Sequence, residues 1–136
     1  MQKDLICIVD DEKRIIDFVR IYLEKEGFTV SSFTDGLEAL EGIRASGPEL
    51  VVLDVMLPDI DGWRLLMRLH EDPAARSIPV IICSVVQEED LALSLGAARY
   101  LPKPVRPREF IQALDQVLPQ ALAVASRAPA SSAEAC

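Results

Sequence analysis

The chain has 136 residues, half of them hydrophobic, and a formal net charge of −8, enough for one domain with a core of several strands and helices. Its acidic balance excludes broad, nonspecific contact with nucleic acid or anionic lipid, which draws on clustered Lys and Arg. No apolar run reaches the length of a membrane span or of a signal peptide.

"LICIV" at 5–9 reads as a short strand. A helical pattern follows over 12–26, where Ile15, Ile16, Val19, Tyr22 and Leu23 recur at three-to-four spacing before Gly27 offers a stop. "FTVSSF" at 28–33 is the second strand and 36–45 the second helix. "ELVVLD" at 49–54 and a helix over 62–71 come next, then "IPVIICS" at 78–84 with a helix over 87–95 ended by Gly96. "ARYL" at 98–101 and a helix over 107–118, opened by Pro107, complete the series. Strands alternating with helices predict a parallel sheet covered on both faces, with the almost wholly apolar third and fourth strands at its centre. In such open α/β sandwiches, ligands bind outside the carboxyl ends of the strands.

From Gln120 onward, "QALAVASRAPASSAEAC" holds seven alanines, and Arg127 and Glu134 are its only charges. The domain is therefore expected over 1–120, with 121–136 an Ala-rich flexible tail or the start of a linker. Cys7 and Cys83 lie in apolar runs and Cys136 in the tail, which is neither a disulfide framework nor a metal-ligand spacing. A cytoplasmic location is expected.

The residues that follow the strands converge on one rim of the sheet. They are Asp10 and Asp11 after the first strand, Asp54 after the third, Ser84 at the end of the fourth and Lys103 after the fifth. Two like charges about 4 Å apart repel by roughly 4 kcal/mol at an effective dielectric near 20, so three acids at one edge call for a counterion. An all-oxygen donor set favours Mg²⁺ or a similar hard cation. The competing reading is that Asp10 and Asp11 only cap the first helix, where acids suit the positive end of its dipole. That reading leaves Asp54, at the end of a buried strand, without a reason. Glu12 is expected to face solvent in the first helical turn.

In order, "VDDE", "VVLDVMLPDIDGW", "PVIICS" and "GAARYLPKPV" make the chain, over about 3–118, resemble the receiver domain of response regulators. The resemblance implies a flavodoxin-like (βα)5 doubly wound sandwich, its five parallel strands in the order 2-1-3-4-5. It implies that Asp54 accepts a phosphoryl group from a sensor histidine kinase, a histidine phosphotransfer protein or a small phosphodonor. Asp10, Asp11, Asp54 and the backbone carbonyl of Met56 would hold Mg²⁺, and Lys103 would supply a second positive contact. Ser84 and Tyr100 would form the switch, the hydroxyl drawn toward the phosphoryl group and an exposed ring turning inward. Pro58 and Gly62 would shape the loop after the acceptor, and the Lys103–Pro104 bond would be cis.

On this resemblance the domain is not an enzyme but assists its own phosphorylation and dephosphorylation. Its output would be altered contact of the fourth helix, fifth strand and fifth helix with a downstream protein or output domain, or a phosphorylation-dependent homodimer. Neither nucleic acid nor a membrane would be bound by these residues directly. The chain would stand alone or form the receiver portion of a larger DNA-binding regulator or hybrid histidine kinase. A Mg²⁺-dependent phosphohydrolase of the haloacid-dehalogenase type would need an Asp-x-Asp motif after the first strand, which "VDDEKR" lacks. A flavodoxin-like cofactor binder would offer hydroxyls and amides there, whereas three acids repel a phosphate.

Several positions depart from the family pattern. Val85 stands where Ala or Gly is usual, Ala98 and Arg99 where acids are frequent, and Val105 where an aromatic commonly follows "KP". Met56 and Val86 would flank the phosphoryl group with apolar side chains that position no hydrolytic water, so a long-lived phosphoryl group is expected. Trp63 is expected to pack on the third helix and His70 to be solvated.

Overall fold

The computed structural model describes residues 5–85 and 87–118. Its strands are β1 (Leu5–Val9), β2 (Thr29–Phe33), β3 (Leu50–Leu53), β4 (Val80–Ser84) and β5 (Arg99–Pro102). Its helices are α1 (Lys13–Lys25), α2 (Gly36–Ser46), α3 (Gly62–Glu71), α4 (Glu89–Ser94) and α5 (Pro107–Val117). The expected tail at 121–136, with Cys136, and the position of Val86 lie outside the described residues.

Every residue of β1, β3 and β4 is buried, because side chains alternate between two covered faces. Cys7 and Val9 of β1, Val51 and Leu53 of β3, and Val80 and Ile82 of β4 join Ala39 and Ile43 of α2, Leu65, Leu66 and Leu69 of α3 and Ala92 of α4. The alternate residues Ile6, Ile8, Leu50, Val52, Ile81 and Cys83 meet Ile16 and Leu23 of α1 and Phe110, Ala113 and Leu114 of α5. This period-two division gives a three-layer sandwich with one apolar core on each side of the sheet. All strand pairs are parallel, in the order β2-β1-β3-β4-β5. Cys7 and Cys83 face opposite cores and are free thiols, and burial pushes both up to about 12.

The helix ends follow from local chemistry. Asp35 precedes α2 and its carboxylate accepts the Glu38 N–H at 2.9 Å, and Asp61 does the same for α3 by accepting the Trp63 N–H at 2.8 Å. Trp63 packs against the α3-side core, as expected. His70, by contrast, is half-buried. Its ring lies where a Cβ on Gly96 would fall, at the turn into β5 that Gly96 makes with φ 106°, and its Nδ1 is buried without a hydrogen-bond partner. The burial has a simple cause: the α4–β5 turn folds back over the end of α3, so a position next to Leu69 is covered.

Candidate functional site

Backbone pairing carries the charged residues to one edge. The Asp10 N–H donates to the Phe33 carbonyl at 3.1 Å and the Asp54 N–H to the Val9 carbonyl at 2.9 Å, extending β1 and β3 by one residue each. The Lys103 N–H donates to the Ser84 carbonyl at 3.0 Å, and the Lys103–Pro104 bond is cis. With β2 on one side of β1 and β3 on the other, the strand order reverses between β1 and β3. Asp10 and Asp54 stand at that reversal, where open α/β folds place their ligands.

The side chains then form one network. Lys103 Nζ donates to Asp10 Oδ2 at 2.8 Å and to Asp54 Oδ2 at 3.0 Å. The second oxygens are also used: Asp10 Oδ1 accepts the Glu12 N–H at 2.9 Å and Asp54 Oδ1 the Met56 N–H at 3.0 Å. Asp10 and Asp54 are 3% and 7% exposed, while Asp11 is open to solvent. Asp10 thereby fixes the turn that leads into α1, but α1, whose N-cap is Glu12, has no side-chain cap, so capping alone does not account for these acids. Glu12 lies exposed at the helix start, as expected.

One ammonium faces three carboxylates whose oxygens lie within 4.8 Å of one another. Burial raises the pKa of Asp10 above the ordinary carboxylate value, against the opposing pull of Lys103 and the Glu12 N–H. Burial also works against the charge on Lys103, but its hydrogen bonds to, and attraction by, Asp10 and Asp54 prevail and hold its pKa above that of an ordinary lysine. The excess of negative charge, with hard oxygen donors and no His or Cys among them, fits a Mg²⁺-like cation.

Ser84 ends β4 fully buried. Tyr100 differs from the expected exposed ring: it is 7% exposed, its hydroxyl buried without a hydrogen-bond partner. Alternation along β5 explains this, because Tyr100 points into the core shared with Ala92 and Ala97, two residues small enough to admit a ring, while Leu101 points to the other face. Met56 and Val85 are exposed beside the acids, at 54% and 62%.

The loop after β3 is closed by the Gly62 N–H, which donates to the Val55 carbonyl at 2.9 Å, and Pro58 lies exposed at its tip. A Cβ on Gly62 would fall onto the Val55 Cα, so the close approach of these two backbones requires glycine. A second tie was not legible in the sequence. Asp59 accepts the Gly36 N–H at 2.8 Å and the Leu37 N–H at 3.0 Å, fastening the loop after β3 to the start of α2. Slight desolvation raises its pKa, but these donors and the Ile60 N–H prevail and hold it below the ordinary carboxylate value.

Because the pKa of Asp59 is depressed in the folded state, its contribution is present above the unfolded value and lost as pH falls through the folded one. Asp59→Ala is expected to lower the urea midpoint at neutral pH and to speed hydrogen exchange at the Gly36 and Leu37 amides, with Asp59→Asn intermediate. The gap from wild type should close as the solution is acidified, and identical midpoints at neutral pH would dismiss the tie.

Comparison with known proteins identifies the family. Residues 6–115 match the family described as the response regulator receiver domain. The chain is 44% identical over 110 residues to the regulatory protein VanRc of Enterococcus gallinarum, covering 78% of this chain and 46% of that protein. It is 40% identical over 115 residues to the transcriptional regulatory protein CreB of Escherichia coli, covering 80% and 48%. The chain thus spans about half the length of these relatives. Among solved structures, a CheY-like response regulator receiver domain protein from Methanospirillum hungatei superposes with a TM-score of 0.80 at 29% identity, covering 88% of this chain and 96% of that one. Strand order and family match converge: the chain belongs to the receiver domains of two-component response regulators, signalling domains rather than enzymes of metabolism.

Proposed function

We propose that this receiver is a phosphorylation switch in which Asp54 accepts a phosphoryl group from a sensor histidine kinase or a histidine phosphotransfer protein. The observation that carries the reading is the Asp54 carboxylate itself, at the end of a central strand, hydrogen-bonded to Lys103 and beside two further acids. An Asp54 oxygen attacks phosphorus and the donor nitrogen leaves with the bonding pair, giving an aspartyl phosphate. Lys103, already aimed at Asp54, meets the added charge without reorganisation. Asp10, Asp11, Asp54 and the Met56 carbonyl are the residues that would hold Mg²⁺. When bound, that ion supplies neutralisation of the phosphoryl oxygens.

Phosphorylation adds about 1.5 to 2 negative charges, and Ser84 at the end of β4 is the hydroxyl placed to respond. With Tyr100 already inside, the proposed switch is retention of the inward ring rather than its arrival, read by partners on the surface of α4, β5 and α5 or by a second copy of the chain. The exposed apolar side chain of Met56 positions no water, which supports a long-lived phosphoryl group. Relatives of about twice the length support a place within a longer transcriptional regulator. A cytoplasmic location belongs to the same proposal; among the described residues no helix is long and apolar enough to cross a membrane.

The test is a Mg²⁺ titration followed by Trp63 fluorescence and thermal midpoint, then addition of acetyl phosphate with intact-mass detection. Wild type should gain thermal stability with Mg²⁺ and one phosphoryl group, lost over minutes or longer. Asp11→Asn should weaken Mg²⁺ binding by about tenfold or more while the fold stays intact. A Mg²⁺ response unchanged in that variant would remove Asp11 from the ligand set.

A further inference from the structure

Between α1, α5 and the sheet lies a cavity of about 470 Å³. Asp10, Asp54 and Lys103 are its charged lining residues, and their hydrogen bonds to one another hold them together at one end. The rest of the wall is apolar, drawn chiefly from Phe18 and Tyr22 of α1 with Val105 and Phe110. Protein interiors are close-packed, so a void of this size does not follow from folding alone. Its volume falls in the range of small-ligand sites. Val105, half-buried on the wall, leaves the space that a larger side chain at that position would fill. Phe18 is 51% exposed and stacks on Tyr22 at 6.1 Å between ring centres, forming a flat apolar side to the opening.

We infer that this cavity seats an apolar amine, a primary ammonium carried on an aromatic or branched hydrocarbon body. The charge balance at the polar end selects the head. Two carboxylates in the wall face one ammonium, and Asp11, with an oxygen within 4.8 Å of theirs, adds a third negative charge. An anionic head would add to that repulsion, whereas a cationic one relieves it. Each carboxylate oxygen accepts more than one donor, so the incoming ammonium joins Lys103 at the acids without having to displace it. The apolar wall selects the body: a neutral apolar ligand would leave the excess negative charge unmatched, and a small hydrated cation would leave Phe18, Tyr22 and Val105 uncovered. The amine draws on the same carboxylates as the proposed Mg²⁺ site, so the two cations bind antagonistically. The seat itself does not depend on reading Asp54 as the acceptor. Only its consequence rests on that reading: an apolar amine would hold the domain in its unphosphorylated state.

The experiment titrates the full chain, without phosphodonor, with 2-phenylethylamine, its neutral counterpart 2-phenylethanol, its anionic counterpart 3-phenylpropionate and the ring-free ethylamine. Affinity is read by calorimetry and amide chemical shifts, with the thermal midpoint as a second measure. The phenyl amine is expected to bind tighter than the alcohol by roughly tenfold or more, as hydrogen bonds to charged groups allow. It should exceed ethylamine by a similar factor, the usual discrimination of an apolar pocket. Val105→Phe, which fills the space, should weaken the amine while the Mg²⁺ response stays that of wild type. Phe18→Ser, a change at an exposed position that tests the same wall without overpacking the core, should weaken it as well. Asp54→Asn should weaken the amine and leave the alcohol unchanged. Mg²⁺ should raise the Kd of the amine, and the amine that of Mg²⁺, by the same factor, because coupling between two ligands is reciprocal. Equal binding of amine and alcohol overturns the inference, as does an amine affinity that survives in both wall variants. Either result leaves the acceptor reading intact, since no phosphoryl group takes part. Independent binding of the amine and Mg²⁺ overturns the shared use of the acids. Phosphorylation of Asp54 by acetyl phosphate is measured separately, and its failure overturns the acceptor reading without touching the seat.

Discussion

Asp54→Asn is expected to abolish phosphoryl uptake, lowering the rate by a factor on the order of 10⁴ or more, as removal of a nucleophile generally does. The substitution keeps the shape of the side chain and an oxygen able to accept the Met56 N–H, but removes the negative charge that pairs with Lys103 and that the proposed attack on phosphorus needs. The fold should persist, because the loss of one charged hydrogen bond is offset by a lower density of negative charge beside Asp10 and Asp11. Intact mass after incubation with acetyl phosphate and Mg²⁺ is the measurement, with circular dichroism as the control for folding. Stoichiometric phosphorylation of Asp54→Asn would assign the acceptor elsewhere.

Gly62→Ala is expected to destabilise the domain by about 3 kcal/mol, at the upper end of what overpacking usually costs. The added Cβ meets the Val55 Cα, which is backbone and cannot turn away as a side chain could. The Val55 and Gly62 backbones would have to separate, stretching the hydrogen bond that closes the loop after β3. Phosphorylation should therefore slow together with the loss of stability, although residue 62 touches no phosphoryl group. A urea midpoint within error of wild type would show that the loop has slack that the geometry denies.

The carboxyl-edge acids were legible because strand ends can be read from short apolar runs: Asp10 and Asp54 each directly follow one, and Asp11 comes next after Asp10. All five strands and five helices lie within a few residues of their sequence positions, as period-two and period-3.6 patterns allow. Strand order was not legible from those patterns and came from the resemblance alone. The Asp59 tie escaped because its partners, Gly36 and Leu37, lie more than twenty residues upstream in a different loop. The burial of Tyr100 and His70 escaped for a related reason. Each depends on what a neighbouring turn or helix lays over the residue, and an isolated Tyr or His carries no mark of its cover. The cavity beside α1 is a property of how α1 and α5 sit relative to each other, which no local motif encodes.

The Lys103 bridge also bears on the order in which the site comes into being. Its two bonds join residues 93 and 49 positions apart in the chain, among the most non-local contacts in the domain, and loop-closure entropy delays contacts of that kind. During synthesis the acids of β1 and β3 emerge first, and the ammonium that faces them arrives only with the end of β5. A chain that has not yet docked β5 carries three carboxylates at one sheet edge with no cation of its own. The paired arrangement of acids and ammonium is thus reserved for molecules whose last strand is in place.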